Sequence, residues 1–100
     1  MSTDPFFRLI VEDVFSIARR GTVVTGKIEQ GKLNVGDEVA IQGRNGERKT
    51  VVTGIEMFRK VVSQAGPGDN VGILFRDISR QDVQRGDVIL CPNSDFTWKP

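Results

Sequence analysis

Apolar residues along this chain recur in short runs broken by glycine and by charged residues, a texture of period two rather than of a helix. Residues 11–29 hold the clearest case. Val14, Phe15 and Ile17 alternate imperfectly with polar neighbours, and after Arg20 and Gly21 residues 22–25 form a β-branched block that favours extended backbone. Within that second run Val24, Gly26 and Ile28 share one face, with Thr25, Lys27 and Glu29 on the other. Glycine at the corner accepts a positive φ, so residues 18–21, Ala-Arg-Arg-Gly, are predicted to form a hairpin turn. Upstream, Phe6, Phe7, Leu9, Ile10 and Val11 are too dense for strict alternation. That density suits a strand buried on both sides, or one with a bulge that switches faces.

Further along, residues 31–37 read as a turn, and Val39 and Ile41 mark a short third strand. Asn45 followed by Gly46 is the strongest hairpin signal, because both tolerate the positive φ of a type I′ turn. Residues 49–58 read as one long strand, with Gly54 marking a bend where another backbone passes close. Residues 63–69 form a loop broken by Gly66, Pro67 and Gly68, and residues 70–76 are the next strand. Ser79 to Asp82 resembles a capping box with Asp in the usual Glu place, and Gly86 is expected to end a single helical turn. Residues 88–91 close the sheet. Residues 1–4 are polar and expected to be disordered, and 93–100 is an aperiodic tail, which leaves 5–92 as the domain. Short strands at close spacing with almost no helix mean a sandwich or a closed antiparallel barrel.

Composition narrows the function classes. With 100 residues, 38% of them hydrophobic, the chain makes one domain with a modest core. Fourteen Lys and Arg against 13 Asp and Glu leave a formal charge of +1, so any nucleic-acid contact is expected to be local, at an end or a base. The single Cys91 cannot form an internal disulfide and reads as a small apolar filler at a strand end. Absence of histidine removes the commonest general base and metal ligand. No apolar run approaches the roughly 20 residues of a membrane helix, and the first residues are not a signal peptide. A soluble, cytoplasmic monomer with no cofactor and no membrane contact is expected.

Catalysis finds little support. Glu12 and Asp13 are adjacent, so on a strand they point to opposite faces and form no catalytic pair. No Gly-x-x-x-x-Gly-Lys-Ser/Thr loop is present to cradle the phosphates of a nucleotide. Asp77 and Asp82 read as turn and cap residues.

The run VEDVFSIARRGTVVTGKIEQGKLNVGDEV from Val11 resembles the start of the second domain of elongation factor Tu, the β-barrel that follows the GTPase domain in this translational GTPase family. GIEMFRK from Gly54, AGPGDNVGILFRDI from Ala65 and QRGDVI from Gln84 match in order, and the resemblance extends over about residues 5–92. It implies a single antiparallel Greek-key β-barrel, with the GTPase activity left to a domain not seen in this chain. It also implies a non-catalytic module that receives the aminoacylated 3′ end of tRNA.

Carried over by motif, Glu56 would bond the terminal ribose and base, and Ile17 would pack on the adenine. Glu12, Asp13, Phe15 and Asn70 would line the pocket for the amino acid and its amino group. Arg59 would stand at the edge, and Val23 and Leu74 would complete an apolar floor. Chemically, a base packs well on an aliphatic or aromatic side chain, and a carboxylate is a strong acceptor for a hydroxyl or ammonium. The plainer reading stands beside it: Phe15, Ile17, Val23 and Leu74 would be core residues of the barrel, Glu56 an exposed strand residue, and Arg19 and Arg20 a solvated hairpin tip. The chain also departs from the family at Ala18 and Arg19, which replace a small Ser-Gly and make the tip bulkier and more basic. A stand-alone adaptor docking onto a GTPase domain or the ribosome is the alternative function.

Overall fold

In the computed structural model, which describes residues 7–44 and 46–91, the chain forms eleven strands: β1 (Phe7–Ile10), β2 (Asp13–Ile17), β3 (Gly21–Gln30), β4 (Leu33–Asn34), β5 (Glu38–Gly43), β6 (Gly46–Val51), β7 (Gly54–Met57), β8 (Lys60–Val62), β9 (Gln64–Ala65), β10 (Asn70–Phe75) and β11 (Val88–Cys91). A single 3-10 turn, Arg80–Asp82, interrupts them. Every pairing is antiparallel, and the hydrogen-bonded order is β6-β5-β11-β1-β3-β10-β7-β8, with β2 beside β3 and a separate β4-β9 pair. Neighbours that are distant in sequence, such as β11 between β5 and β1, belong to a Greek-key path rather than a meander.

β3 is the hinge of this architecture because it is long enough to serve two sheets. One edge pairs with β10 from Thr22 to Lys27, and the other pairs first with β2 and then, near Ile28, with β1. Its alternation is the one the sequence predicts: Thr22, Val24, Gly26 and Ile28 are buried, with their neighbours outward. Gly26 is required there, since a Cβ would lie 2.5 Å from the Ile10 carbonyl oxygen. The core gathers Phe7, Leu9, Ile41, Ile55, Ile73, Phe75 and Ile89 from both sheets. Burying such side chains stabilises by about 1.5–3 kcal/mol each.

β1 keeps one face inward, with Phe7, Leu9 and Val11 buried. It does carry a register irregularity against β3 between Arg8 and Leu9, yet the irregularity does not switch faces. Residues 49–58 are not one strand. β6 belongs with β5 and β7 with β10, and the chain crosses between the sheets at Val52 and Thr53. Val52 is wholly buried, and its backbone bonds to Gly36 and Asp37 instead of to a strand neighbour. Thr53 then donates both its N–H and its hydroxyl to the Leu74 carbonyl, at 2.9 Å each. Among the described residues no ladder joins β6 to β8, so at this corner the two sheets are linked by the chain itself, whereas elsewhere the shared strand β3 joins them.

Smaller departures follow from tertiary pairing. Residues 31–37 contain β4, whose Leu33 pairs with Ala65. Gly54 faces the Leu74 side chain at ordinary contact distance, not another backbone. Gly46 stands opposite Gly43 and opens β6 instead of taking a central turn position; Asn45 lies outside the described residues, as do residues 1–6 and 92–100. The capping box forms as read, with the Ser79 N–H donating to Asp82 at 2.9 Å and the Ser79 hydroxyl accepting from Gln81 at 3.2 Å. Val83, in extended backbone, ends that turn; Gly86 serves the following one. Cys91 packs partly against the core and donates to the Glu38 carbonyl. Burial, aided by nearby Asp37 and Glu38, pushes its thiol up to about 11.

Candidate binding site on the outer face

Strand register places the expected residues on one surface. Because Val24, Ile73 and Ile55 point inward, the residues between them point out. One outer row runs Phe15, Val23, Leu74 and Gly54 across four strands. The next runs Asp13, Thr25, Gly72, Glu56 and Val61, and a third holds Lys27 and Asn70. Neighbours within a row are about 5 Å apart and rows about 7 Å apart, the spacing of a ligand rather than of a single atom.

Phe15, Val23, Thr25, Gly72, Glu56 and Asn70 of these rows line an open depression of about 390 Å³. Six of the nine expected residues border it: Glu12, Phe15, Val23, Glu56, Arg59 and Asn70. Glu12 is held in place by its backbone, whose N–H donates to the Thr25 carbonyl at 2.7 Å. Phe15 is 52% exposed, so it is no core residue; its ring is free to take a ligand. Val23 is half-buried on the same outer face. Three expected residues stand apart. Asp13 pairs with Arg85 at 3.3 Å, Leu74 is half-buried on the row nearer Gly54, and Ile17, 38% exposed, borders a neighbouring groove.

Thr25, Phe58 and Gly72 also line the depression and escaped the reading of the sequence. Gly72 carried a signal, since an isolated glycine within a strand often marks a close approach. Phe58 carried none. It and Arg59 are the two central residues between Met57 and Lys60, with φ of +51° and +66°. That is the backbone of a two-residue hairpin turn that normally takes Asn-Gly. The turn projects Phe58, 84% exposed, over the depression's rim.

Chemically the depression offers two carboxylates as acceptors, a guanidinium, an amide and aromatic faces. Among the described residues no cluster of three or more His, Cys, Asp or Glu could hold a metal ion, and no helix is long and apolar enough to cross a membrane.

The domain is thus an antiparallel β-fold with a ligand-sized, polar-rimmed depression on one outer face. The family model for elongation factor Tu domain 2 matches residues 21–90, and the chain belongs to that family. It is thus a translation-factor β-barrel module.

Proposed function

We propose that this domain is non-catalytic, acts in the cytoplasm, and binds the aminoacylated 3′ end of tRNA in the depression between Phe15 and Glu56. The observation that carries the reading is that residues far apart in sequence, Glu12, Phe15, Glu56 and Asn70, border one depression. Phe15 and Val23 supply an apolar surface for the terminal base or the amino-acid side chain. Glu56 accepts from ribose hydroxyls, and Glu12 from the α-ammonium group.

Affinity is expected to be weak. One stacked base contributes about 1–3 kcal/mol and one charged hydrogen bond about 1.5–3, against an association cost of roughly 4–15. A Kd on the order of millimolar follows. Titration with a short aminoacyl-CCA mimic should shift the NMR signals of Phe15, Glu56 and Asn70, and Glu56→Ala should abolish the shifts. Equal binding of the uncharged CCA, unaffected by Glu56→Ala, would refute the reading.

One observation favours docking onto a protein instead. Phe58 and Val61, 84% and 79% exposed, stand together on the β7-β8 hairpin. If that adaptor role holds, Phe58→Ser combined with Val61→Ser abolishes capture by a GTPase domain or ribosome, and Glu56→Ala leaves that capture unchanged.

A further inference from the structure

A second recess, of about 720 Å³, lies at the other end of β2. Four arginines border it: Arg19 and Arg20 from the β2-β3 turn, and Arg76 and Arg80 from the segment after β10. All four are exposed, and among the described residues none is recorded in an ion pair. Ser79 borders the same recess. Cations gathered without an anion around a serine are the surroundings that a phosphoserine needs.

Ser79 is also placed to be modified. It is exposed, in extended backbone with φ of −96° and ψ of 166°, and residues 76–79 belong to no strand or helix. A kinase takes its target as such an extended segment. The Ser79 hydroxyl is loosely engaged, donating to Asp82 and accepting from the Gln81 N–H at 3.2 Å each, at the long end of hydrogen-bond lengths. Arg76 stands three residues before it and Arg80 directly after it, a charge pattern that an acidic substrate groove can read. The neighbouring acids have partners of their own. Asp77 accepts from the Thr50 hydroxyl at 3.0 Å, and Asp82 pairs with Arg48 at 3.5 Å. The base of the segment is firm, because the buried Thr22 hydroxyl donates to the carbonyl of Ile78, the residue before Ser79, at 2.6 Å.

We propose that Ser79 is a phosphorylation site for a serine kinase that selects arginine-flanked targets, and that the arginines of this recess hold the resulting phosphate. In the transfer, Ser79 Oγ bonds to the γ-phosphorus of a nucleoside triphosphate. The bond from that phosphorus to its bridging oxygen breaks, the nucleoside diphosphate leaves, and the hydroxyl proton passes to the kinase's base. The product carries a charge of about −1.5 to −2, and the guanidinium fork matches phosphate oxygens in a bidentate way. Two effects then oppose each other. The arginines favour the dianion, and the Asp82 carboxylate disfavours it. Four guanidinium groups face one carboxylate that Arg48 already shares, so the arginines win. Phosphorylation thus turns an open cationic recess into one that carries its own counter-ion. The inference stands apart from the aminoacyl reading, since it needs neither Glu56 nor tRNA.

The test has two arms. In the first, the 100-residue chain is incubated with ATP, magnesium and a calmodulin-dependent serine kinase that selects arginine three residues before its target. One phosphate should be gained and mapped to Ser79 by tandem mass spectrometry, with none on Ser79→Ala. Arg76→Gln should slow the reaction at least about tenfold, the loss of one charge-assisted contact. Glu56→Gln should react like wild type. In the second arm, phosphoserine is installed genetically at residue 79 and titrated by phosphorus NMR. Its second pKa should lie below the ordinary value of about 6, and Arg19→Asn combined with Arg80→Gln should raise it again. Phosphate on Ser16 instead of Ser79, an unchanged rate in Arg76→Gln, or a second pKa at or above about 6 would each overturn the proposal.

Discussion

Gly72 stands directly opposite Glu56 in the β10-β7 ladder, and on its other side directly opposite Thr25. The absence of a side chain at Gly72 is what opens the outer face beside the Glu56 carboxylate. A Cβ there would lie 3.4 Å from Val23 Cγ1, tight but on an exposed surface where the neighbour can shift. Gly72→Val is therefore expected to fold, with strand propensity offsetting the crowding to within about 1 kcal/mol. It should nevertheless erase the chemical-shift changes caused by an aminoacyl-CCA mimic. Thermal melting and the same titration check both halves.

The Phe58–Arg59 turn trades stability for side chains at the rim. Two non-glycine residues at positive φ cost about 1 kcal/mol or more each. Replacing them with Asn-Gly should stabilise the domain by roughly 2 kcal/mol, or about 8–15 °C in Tm for a domain of this size. The same variant should bind the CCA mimic more weakly. A variant that is no more stable than the parent would show that the turn is not strained.

Gly21 combines a φ of +125° with the 2.2 Å approach to the Phe75 carbonyl. Gly21→Val is expected to cost at least about 3 kcal/mol, beyond what an ordinary surface change costs. Urea unfolding monitored by circular dichroism gives the number. An unchanged midpoint would contradict this account of the corner.

Thr22 is 1% exposed, and its hydroxyl satisfies the Ile78 carbonyl. Thr22→Val keeps the shape and the β-branched backbone preference but leaves that carbonyl without its partner. The expected loss is about 1–3 kcal/mol in urea unfolding.

Asp82 carries the acid sensitivity of the 3-10 turn. The Ser79 N–H, assisted by its hydroxyl and by Arg48, holds the Asp82 carboxyl below its ordinary 3.8, against an opposing desolvation effect. A carboxyl depressed in the folded state stabilises the fold above its unfolded value and loses that contribution as pH falls through its folded value. Wild type should therefore exceed Asp82→Asn in stability at about pH 6, and the advantage should shrink as pH falls below the ordinary carboxylate range. Chemical denaturation of both proteins across that range tests the sign.

The local elements were legible because their causes are local. The alternation of Val24, Gly26 and Ile28 and the Ser79–Asp82 box each depend on residues within a few positions. The outer face was only half legible. The residue types that suit a ligand were readable by motif, but apolar types alone could not place Phe15 and Ile17 in the core or on the surface. Register decided that, because Val24 and Ile73 take the inward positions and force Phe15 and Val23 outward. The break at Val52 was hidden for a similar reason: a β-branched run looks continuous until its two halves pair with strands of different sheets. The groove that Ile17 borders, lined also by Arg19, Arg20, Arg76 and Arg80, lay beyond any local reading. Arg19 and Arg80 are far apart in the chain, and they meet because Thr22 bonds Ile78 and because glycine at position 21 lets the turn lie against Phe75.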